Sequence, residues 1–276
     1  VVHDADGNLF VTGQYSNTIT FDQTYPNILA NASFLLRLAP DGSDVWFRRM
    51  GGAAYNHVRD LAIAPSGQLL ITGDQQGTMV WSGTTTVNVS SAQPFAYYLL
   101  KVDANGQLDA NITVGSTSGV TVAAVAAQGN NVAVFGAFNC QFTGLADLYA
   151  SDALFMATGT EDLFVSVHAL ADLAVQEAQQ FGGRSGKSAG GMAYLPQGEL
   201  VFSGSFQQNL IFPASGIFSG EVVGFNQGGS GSTGVMDWCG HANYGSFYGC
   251  EGAGLVDGFV ARGYVPERAP YDWWVR

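Results

Sequence analysis

Four glycines recur at nearly even intervals along this chain, each closing a short apolar run: "LFVTG" ends at Gly13, "LLITG" at Gly73, "VAVFG" at Gly136 and "LVFSG" at Gly204. The intervals of 60, 63 and 68 residues mark one supersecondary unit used four times. Such a unit cannot bury its apolar faces alone and does so only by stacking on its neighbours. Two copies align without a gap, "MGGAAYNHVRDLAIAPSGQLLITG" (50–73) over "FGGRSGKSAGGMAYLPQGELVFSG" (181–204). Gly51 and Gly52 fall on Gly182 and Gly183, Pro65 on Pro196 and Gly67 on Gly198.

Six and eight residues beyond the marker glycine stand Ile19 and Phe21, Met79 and Trp81, and Leu210 and Phe212, an alternation that puts both side chains on one face of a strand. The third copy keeps only Phe142. A further apolar run follows in each copy: "FLLRLAPDG" from Phe34, "YLLKVDANG" from Tyr98, "LFVSVHA" from Leu163 and "FVARGYV" from Phe259. A last strand is clearest in "DVWFR" (44–48) and "DWWVR" (272–276). Four short strands per unit, separated by turn residues, predict an all-β fold: a β-propeller of about four blade-like four-stranded antiparallel repeats, complete or part of a larger propeller. The chain 1–276 reads as one domain with repeats near 1–56, 57–118, 119–187 and 188–276, and with long outer excursions at 82–94, 145–160 and 213–236.

Only 12% of residues are charged and 37 are glycine, a profile that suits many strands and turns. Twenty-two acidic residues against ten basic ones give a net charge of -12, which repels a phosphate backbone and argues against nucleic acid as a partner. The most membrane-like stretch, 119–138, is interrupted by Gln128, Asn130 and Asn131, so it reads as two buried strands joined by a turn and no membrane span is expected. The opening "VVHDADG" lacks the charged and apolar regions of a leader, so any signal peptide is expected to be removed or to lie outside this stretch.

"FGGRSGKSAG" (181–190) ends in the Gly-Lys-Ser of a phosphate-binding loop, yet Phe181 stands where that loop needs its first glycine. The repeat alignment sets Lys187 and Ser188 opposite Asn56 and His57, so the tripeptide reads as an accident of the repeat. "DADGN" (4–8) has the alternating acids of a calcium loop but its glycine comes two places early and Tyr15 replaces the closing Glu, so it reads as a turn. His3, His57, His168 and His241 lie in different repeats and outside any hydrolase or metalloprotease pattern. Glu161 and Asp162 are adjacent and would point to opposite faces of a strand. No metal site and no cofactor are expected.

Cys239 and Cys250 flank "CGHANYGSFYGC" and are read as a disulfide closing that loop, with Cys140 a buried thiol; a zinc site on Cys239, His241 and Cys250 lacks a fourth ligand. The loop interrupts the repeat and would present Tyr244, Phe247 and Tyr248 as a binding surface. Three sequons, at Asn31, Asn88 and Asn111, are read as chance in an Asn- and Thr-rich chain.

With Met50-Gly51-Gly52, Phe181-Gly182-Gly183, "DADGNLFVTG" (4–13) and "APSGQLLITG" (64–73), the chain resembles the bacterial SBBP repeat family of secreted and cell-surface propeller repeats. The third copy is degenerate around "AAQGNNVAVFG" (126–136). The resemblance implies a propeller in an extracellular bacterial setting and carries no catalytic residues. The expected function is therefore non-catalytic: a secreted or surface-displayed module for binding or extracellular assembly, structural or adhesive, whose partner is a protein, a glycan or further copies of itself. The alternative is an extracellular enzyme acting on polysaccharide or peptide from a site at the propeller axis.

Overall fold

The computed structural model describes residues 1–26, 31–52, 55–82, 85–88, 95–139, 141–142, 155–156, 160–183, 186–213, 222–225 and 247–264. Every regular element among them is a β-strand. The first unit comprises β1 (Val2–His3), β2 (Leu9–Tyr15), β3 (Thr18–Thr20), β4 (Thr24–Pro26), β5 (Asn31–Leu38) and β6 (Asp44–Gly52). The second comprises β7 (Asn56–Ile63), β8 (Leu69–Gln76), β9 (Thr78–Trp81), β10 (Thr85–Asn88), β11 (Phe95–Val102) and β12 (Leu108–Ser116). The third comprises β13 (Val120–Gln128), β14 (Asn131–Phe138), β15 (Gln141–Phe142), β16 (Phe155–Met156), β17 (Asp162–Ala169) and β18 (Val175–Phe181). The fourth comprises β19 (Lys187–Tyr194), β20 (Glu199–Pro213), β21 (Val222–Phe225) and β22 (Phe247–Tyr264).

Three units form the same antiparallel meander, β1-β2-β5-β6, β7-β8-β11-β12 and β13-β14-β17-β18, and the fourth runs β19-β20-β22-β21. The outer place in the fourth sheet is thus held by β21, which precedes β22 in the chain and pairs Val223 with Val260. The strand expected at 272–276 lies outside the described residues. The turns between strands carry glycines in the left-handed region, such as Gly67 (φ 86°) and its aligned partner Gly198 (φ 90°), a conformation that costs any residue with a Cβ.

The marker glycines have a different cause. Each lies directly across from an aromatic residue on the third strand: Gly13 from Phe34, Gly73 from Tyr98, Gly136 from Phe164 and Gly204 from Phe259. The ring covers the place of the missing side chain with its far edge. A Cβ would sit 3.0 Å from Phe34 Cε1 at Gly13, 2.7 Å from Phe164 Cε1 at Gly136 and 2.9 Å from Phe259 Cε1 at Gly204, and at Gly73 it would collide with the Tyr98 hydroxyl and the His57 carbonyl. In the last three units the first strand also bulges at this level, between Val58 and Asp60, Val122 and Ala124, and Ala189 and Met192. The repeat period therefore records a packing motif, an aromatic ring filling the gap over a glycine.

Sheets pack face to face in chain order, with three apolar layers between them. Phe10, Leu35, Met50, Leu69 and Ile71 join the first sheet to the second. Leu70, Tyr97, Leu99, Val132 and Val134 join the second to the third. Ala133, Phe135, Val165, Leu200 and Phe202 join the third to the fourth. The first strands lie side by side along this series, β1 by β7, β7 by β13 and β13 by β19. The outer hairpins tie the series together: β9 adds to β6, with Met50 opposite Trp81, and β15 adds to β12, with Ser116 opposite Phe142. This accounts for the apolar-x-aromatic pair after the marker glycine, since Met79 and Trp81 are buried against the preceding sheet.

Candidate functional site

The alternating residues Tyr55, His57 and Arg59 enter and follow the start of β7, and Asp74 stands next to the marker Gly73 on β8, opposite His57. Because strand residues two apart share a face, the three meet Asp74 on one side of the sheet. Arg59 donates from Nε to Asp74 Oδ1 at 2.5 Å and from a terminal nitrogen to Oδ2 at 3.1 Å. The same terminal nitrogen donates to the Tyr55 hydroxyl at 3.0 Å and lies 3.3 Å from His57 Nδ1. The rings of Tyr55 and His57 meet edge to face at 4.0 Å. Asp74 is buried while Tyr55 and Arg59 are exposed, so the group forms a half-open polar shelf with an aromatic rim.

Electrostatics leave little reactivity here. Burial, reinforced by the neighbouring guanidinium, pushes the His57 imidazole below its ordinary value against the weaker pull of Asp74, so it is neutral at neutral pH. Burial and the Asp74 carboxylate push the Tyr55 phenol up to about 12. The hydrogen bond to Asp74 raises Arg59 further. Among the described residues the shelf has no serine, threonine or cysteine nucleophile facing the imidazole. It can stack on a flat apolar face and donate or accept hydrogen bonds, which is binding chemistry.

A second cluster has the makings of a serine–histidine pair and none of the access. Ser166 and His168 alternate on β17, with Ser166 Oγ 2.9 Å from His168 Nε2. The Tyr97 hydroxyl of the neighbouring sheet reaches Ser166 Oγ at 2.9 Å and His168 Nε2 at 3.3 Å, and His168 Nδ1 lies 3.1 Å from the Leu173 carbonyl. All three side chains are fully buried between the second and third sheets. Burial lowers the His168 pKa to about 4. A neutral imidazole donating to Leu173 O and accepting at Nε2 satisfies every partner, which makes the cluster a polar seam in the core.

The Gly-Lys-Ser lysine is another seam. Lys187 begins β19, and its ammonium, fully buried, bonds to the Glu161 carbonyl at 3.1 Å, the Gly183 carbonyl at 3.0 Å and Asp162 Oδ1 at 3.3 Å. Its aligned counterpart Asn56 is likewise buried at a sheet junction, bonding Ser33 of the first sheet. Lys187 is turned inward and presents nothing to a phosphate. The acids of "DADGN" are a turn: Asp4 Oδ1 accepts from the backbone N–H of Asp6 at 3.0 Å and of Asn8 at 2.9 Å.

Cations on the third and fourth strands close the seams at the turn end. Arg37 donates to the Ala104 carbonyl at 3.0 Å, joined there by Trp46 Nε1 at 3.0 Å, and Arg48 donates to Gly106 O at 2.8 Å. Lys101, at the position equivalent to Arg37, donates to the Leu170 and Ala171 carbonyls at 3.2 and 2.6 Å. Each cation thus ties its own sheet to turn carbonyls of the next.

Cys239, Tyr244, His241 and Cys140 lie outside the described residues. The backbone of Phe247, Tyr248 and Cys250 is placed in β22, opposite Pro213, Phe212 and Leu210 of β20. The end of the expected loop is therefore strand, continuing the fourth sheet outward. Among the described residues no three His, Cys, Asp or Glu side chains gather as metal ligands, and no helix is long and apolar enough to cross a membrane. The sequence reading did not single out Tyr55, Arg59 and Asp74; the Tyr-x-His-x-Arg alternation ahead of a marker glycine was the available signal.

No protein-family description matches the chain, and no curated protein does. Solved structures with detectable likeness include a protein of unknown function from Bacteroides caccae, 10% identical, with a TM-score of 0.29 over 74% of this chain and 67% of that one. At that score the likeness bears on neither fold nor function.

Proposed function

We propose that this protein is a non-catalytic β-propeller module, of the SBBP repeat kind, that acts outside the cell by binding or by building an assembly. The supporting observation is where its polar chemistry lies. Lys187 with Asp162, Ser166 with His168 and Tyr97, Asn56 with Ser33, and Arg37, Arg48 and Lys101 all face neighbouring sheets and hold one to the next. The half-open polar group Tyr55–His57–Arg59–Asp74 has a guanidinium committed to Asp74 and Tyr55 and a neutral imidazole, with no nucleophile facing that imidazole among the described residues. General acid–base work needs two groups whose environments push their pKa values apart towards neutrality, and this group lacks that pairing. Four antiparallel sheets packed in series with their first strands adjacent are the arrangement from which a propeller is built. The charge of -12 favours a protein or glycan partner over a polyanion.

The test is turnover. Purified protein incubated at high concentration with chromogenic glycosides, peptides and esters is expected to release product no faster than buffer. Hydrolysis that disappears in a His57→Ala or Asp74→Asn variant of unchanged fold would establish an enzyme and end this reading.

A further inference from the structure

The three sheet-to-sheet interfaces are built from the same positions, which makes a missing neighbour visible. Four residues before the marker glycine, Leu69, Val132 and Leu200 are all fully buried, each in the layer shared with the sheet before it. The equivalent residue of the first sheet, Leu9, is 38% exposed. The turn beside it, Pro40–Gly42, corresponds to Ala104–Gly106 and to the stretch from Leu170, whose carbonyls are capped by a cation of the preceding sheet. Gly42 is exposed where its counterpart Gly106 is buried, and among the described residues no side chain donates to the Pro40 or Asp41 carbonyl.

The opposite face of the fourth sheet has the complementary gap. Three residues before the marker glycine, Phe10, Leu70 and Ala133 are buried in the layer shared with the following sheet, as are Leu35, Leu99 and Val165 one residue beyond the paired aromatic. Their counterparts Val201 and Val260 are only half-buried. Arg262 stands at the cation position of Arg37 and Lys101, yet its side chain is 52% exposed and, among the described residues, reaches back to Glu199 of its own sheet. No strand packing like that between successive sheets joins the fourth to the first among the described residues.

We propose that these two faces are the halves of one interface and that it forms between chains: the fourth sheet of one copy docks on the first sheet of the next. Val201 and Val260 cover Leu9, and Arg262 leaves Glu199 to cap the Pro40 and Asp41 carbonyls, as Lys101 caps those of Leu170 and Ala171. The two faces differ, so the contact is head-to-tail and propagates into rings or filaments. This deepens the assembly reading above by naming its partner as a second copy and its contact residues.

Sedimentation or light scattering across micromolar concentrations tests it with two variants, Leu9→Arg, which blocks the first-sheet face, and Arg262→Glu, which blocks the fourth. Wild-type mass is expected to rise with concentration to at least twice the monomer. Each variant alone is expected to stay monomeric. An equimolar mixture is expected to give a one-to-one dimer and nothing larger, because each variant keeps one working face. A monomeric wild type overturns the proposal, as does assembly that neither substitution weakens, or a mixture that stays monomeric. Leu9 is exposed, so its variant tests the interface without disturbing the core; Arg262→Gln replaces Arg262→Glu if the latter fails to show the wild-type circular dichroism spectrum. A monomer leaves the non-catalytic reading intact, since only turnover defeats that.

Discussion

Replacing Asp162 with Asn keeps the shape of the side chain and removes its charge, taking the paired carboxylate away from the buried Lys187 ammonium while the Glu161 and Gly183 carbonyls stay beside it. Both side chains of the pair are completely shielded from solvent, so water cannot screen the loss. Burial already pulls the Lys187 pKa down, and Asp162 is the largest influence opposing it. Removing one member of such a pair costs about 3–5 kcal/mol, because an uncompensated charge remains in a low-dielectric site. In a chain of this order of size that corresponds to a fall in melting temperature of roughly 6–20 °C. Lys187→Met is expected to cost a similar amount, since it removes the ammonium from a fully buried carboxylate to which Gln180 still donates at 2.6 Å. The double variant is expected to recover much of the loss, with a coupling energy of about 2 kcal/mol or more in urea titrations. Single variants within about 0.5 kcal/mol of wild type, or a strictly additive cycle, would show that the pair is solvated and that the junction is not held as argued. ATP or inorganic phosphate is expected to leave all four melting curves unmoved, because the lysine faces inward.

His168 makes a pH-dependent contribution of definite sign. Its folded pKa, about 4, lies below the unfolded value of 6.5, so the unfolded state binds the extra proton first; the contribution is complete above pH 6.5 and is lost as pH falls towards 4, by roughly 3 kcal/mol. A His168→Gln variant is expected to show a correspondingly flatter urea midpoint between pH 7 and 4, and equal slopes in variant and wild type would refute the assignment. Gly73→Ala is expected to cost about 1–3 kcal/mol through displacement of Tyr98 and the bulged strand, and more than Gly13→Ala, where Phe34 needs to yield only slightly; thermal unfolding ranks the two. Lys101→Met is expected to cost about 1–3 kcal/mol by leaving the Leu170 and Ala171 carbonyls without their donor, read in the same titration, with no effect implying that water replaces it.

Much of the sheet architecture was legible because it rests on local physics. The apolar runs "LLITG" and "YLLKV", the turn glycines and the repeat period appear in the structure as β8, β11 and their counterparts. The alignment also separated Lys187 from phosphate chemistry by setting it opposite Asn56, and both prove to be junction residues. The polar shelf was less legible, since Tyr55, His57 and Arg59 are ordinary strand residues until Asp74 is seen beside them. The seam of Tyr97, Ser166 and His168 was not legible at all, because its members come from different units and meet only when two sheets pack.

What the sequence by itself determined is the unit: a period set by glycines that leave room for an aromatic ring, strands set by short apolar runs, and turns set by left-handed glycines. These depend on neighbours within one sheet, a few residues away along or across a hairpin. Only the tertiary structure decided that β21 takes the outer place in the fourth sheet, that β9 and β15 attach to the sheet before their own, and that the buried cations and imidazole are partnered across junctions. A buried polar group is stable only with whatever the facing sheet presents, and that is fixed by how whole sheets stack. The same stacking leaves Leu9 and Arg262 exposed at opposite ends of a series whose every internal equivalent of Leu9 is buried.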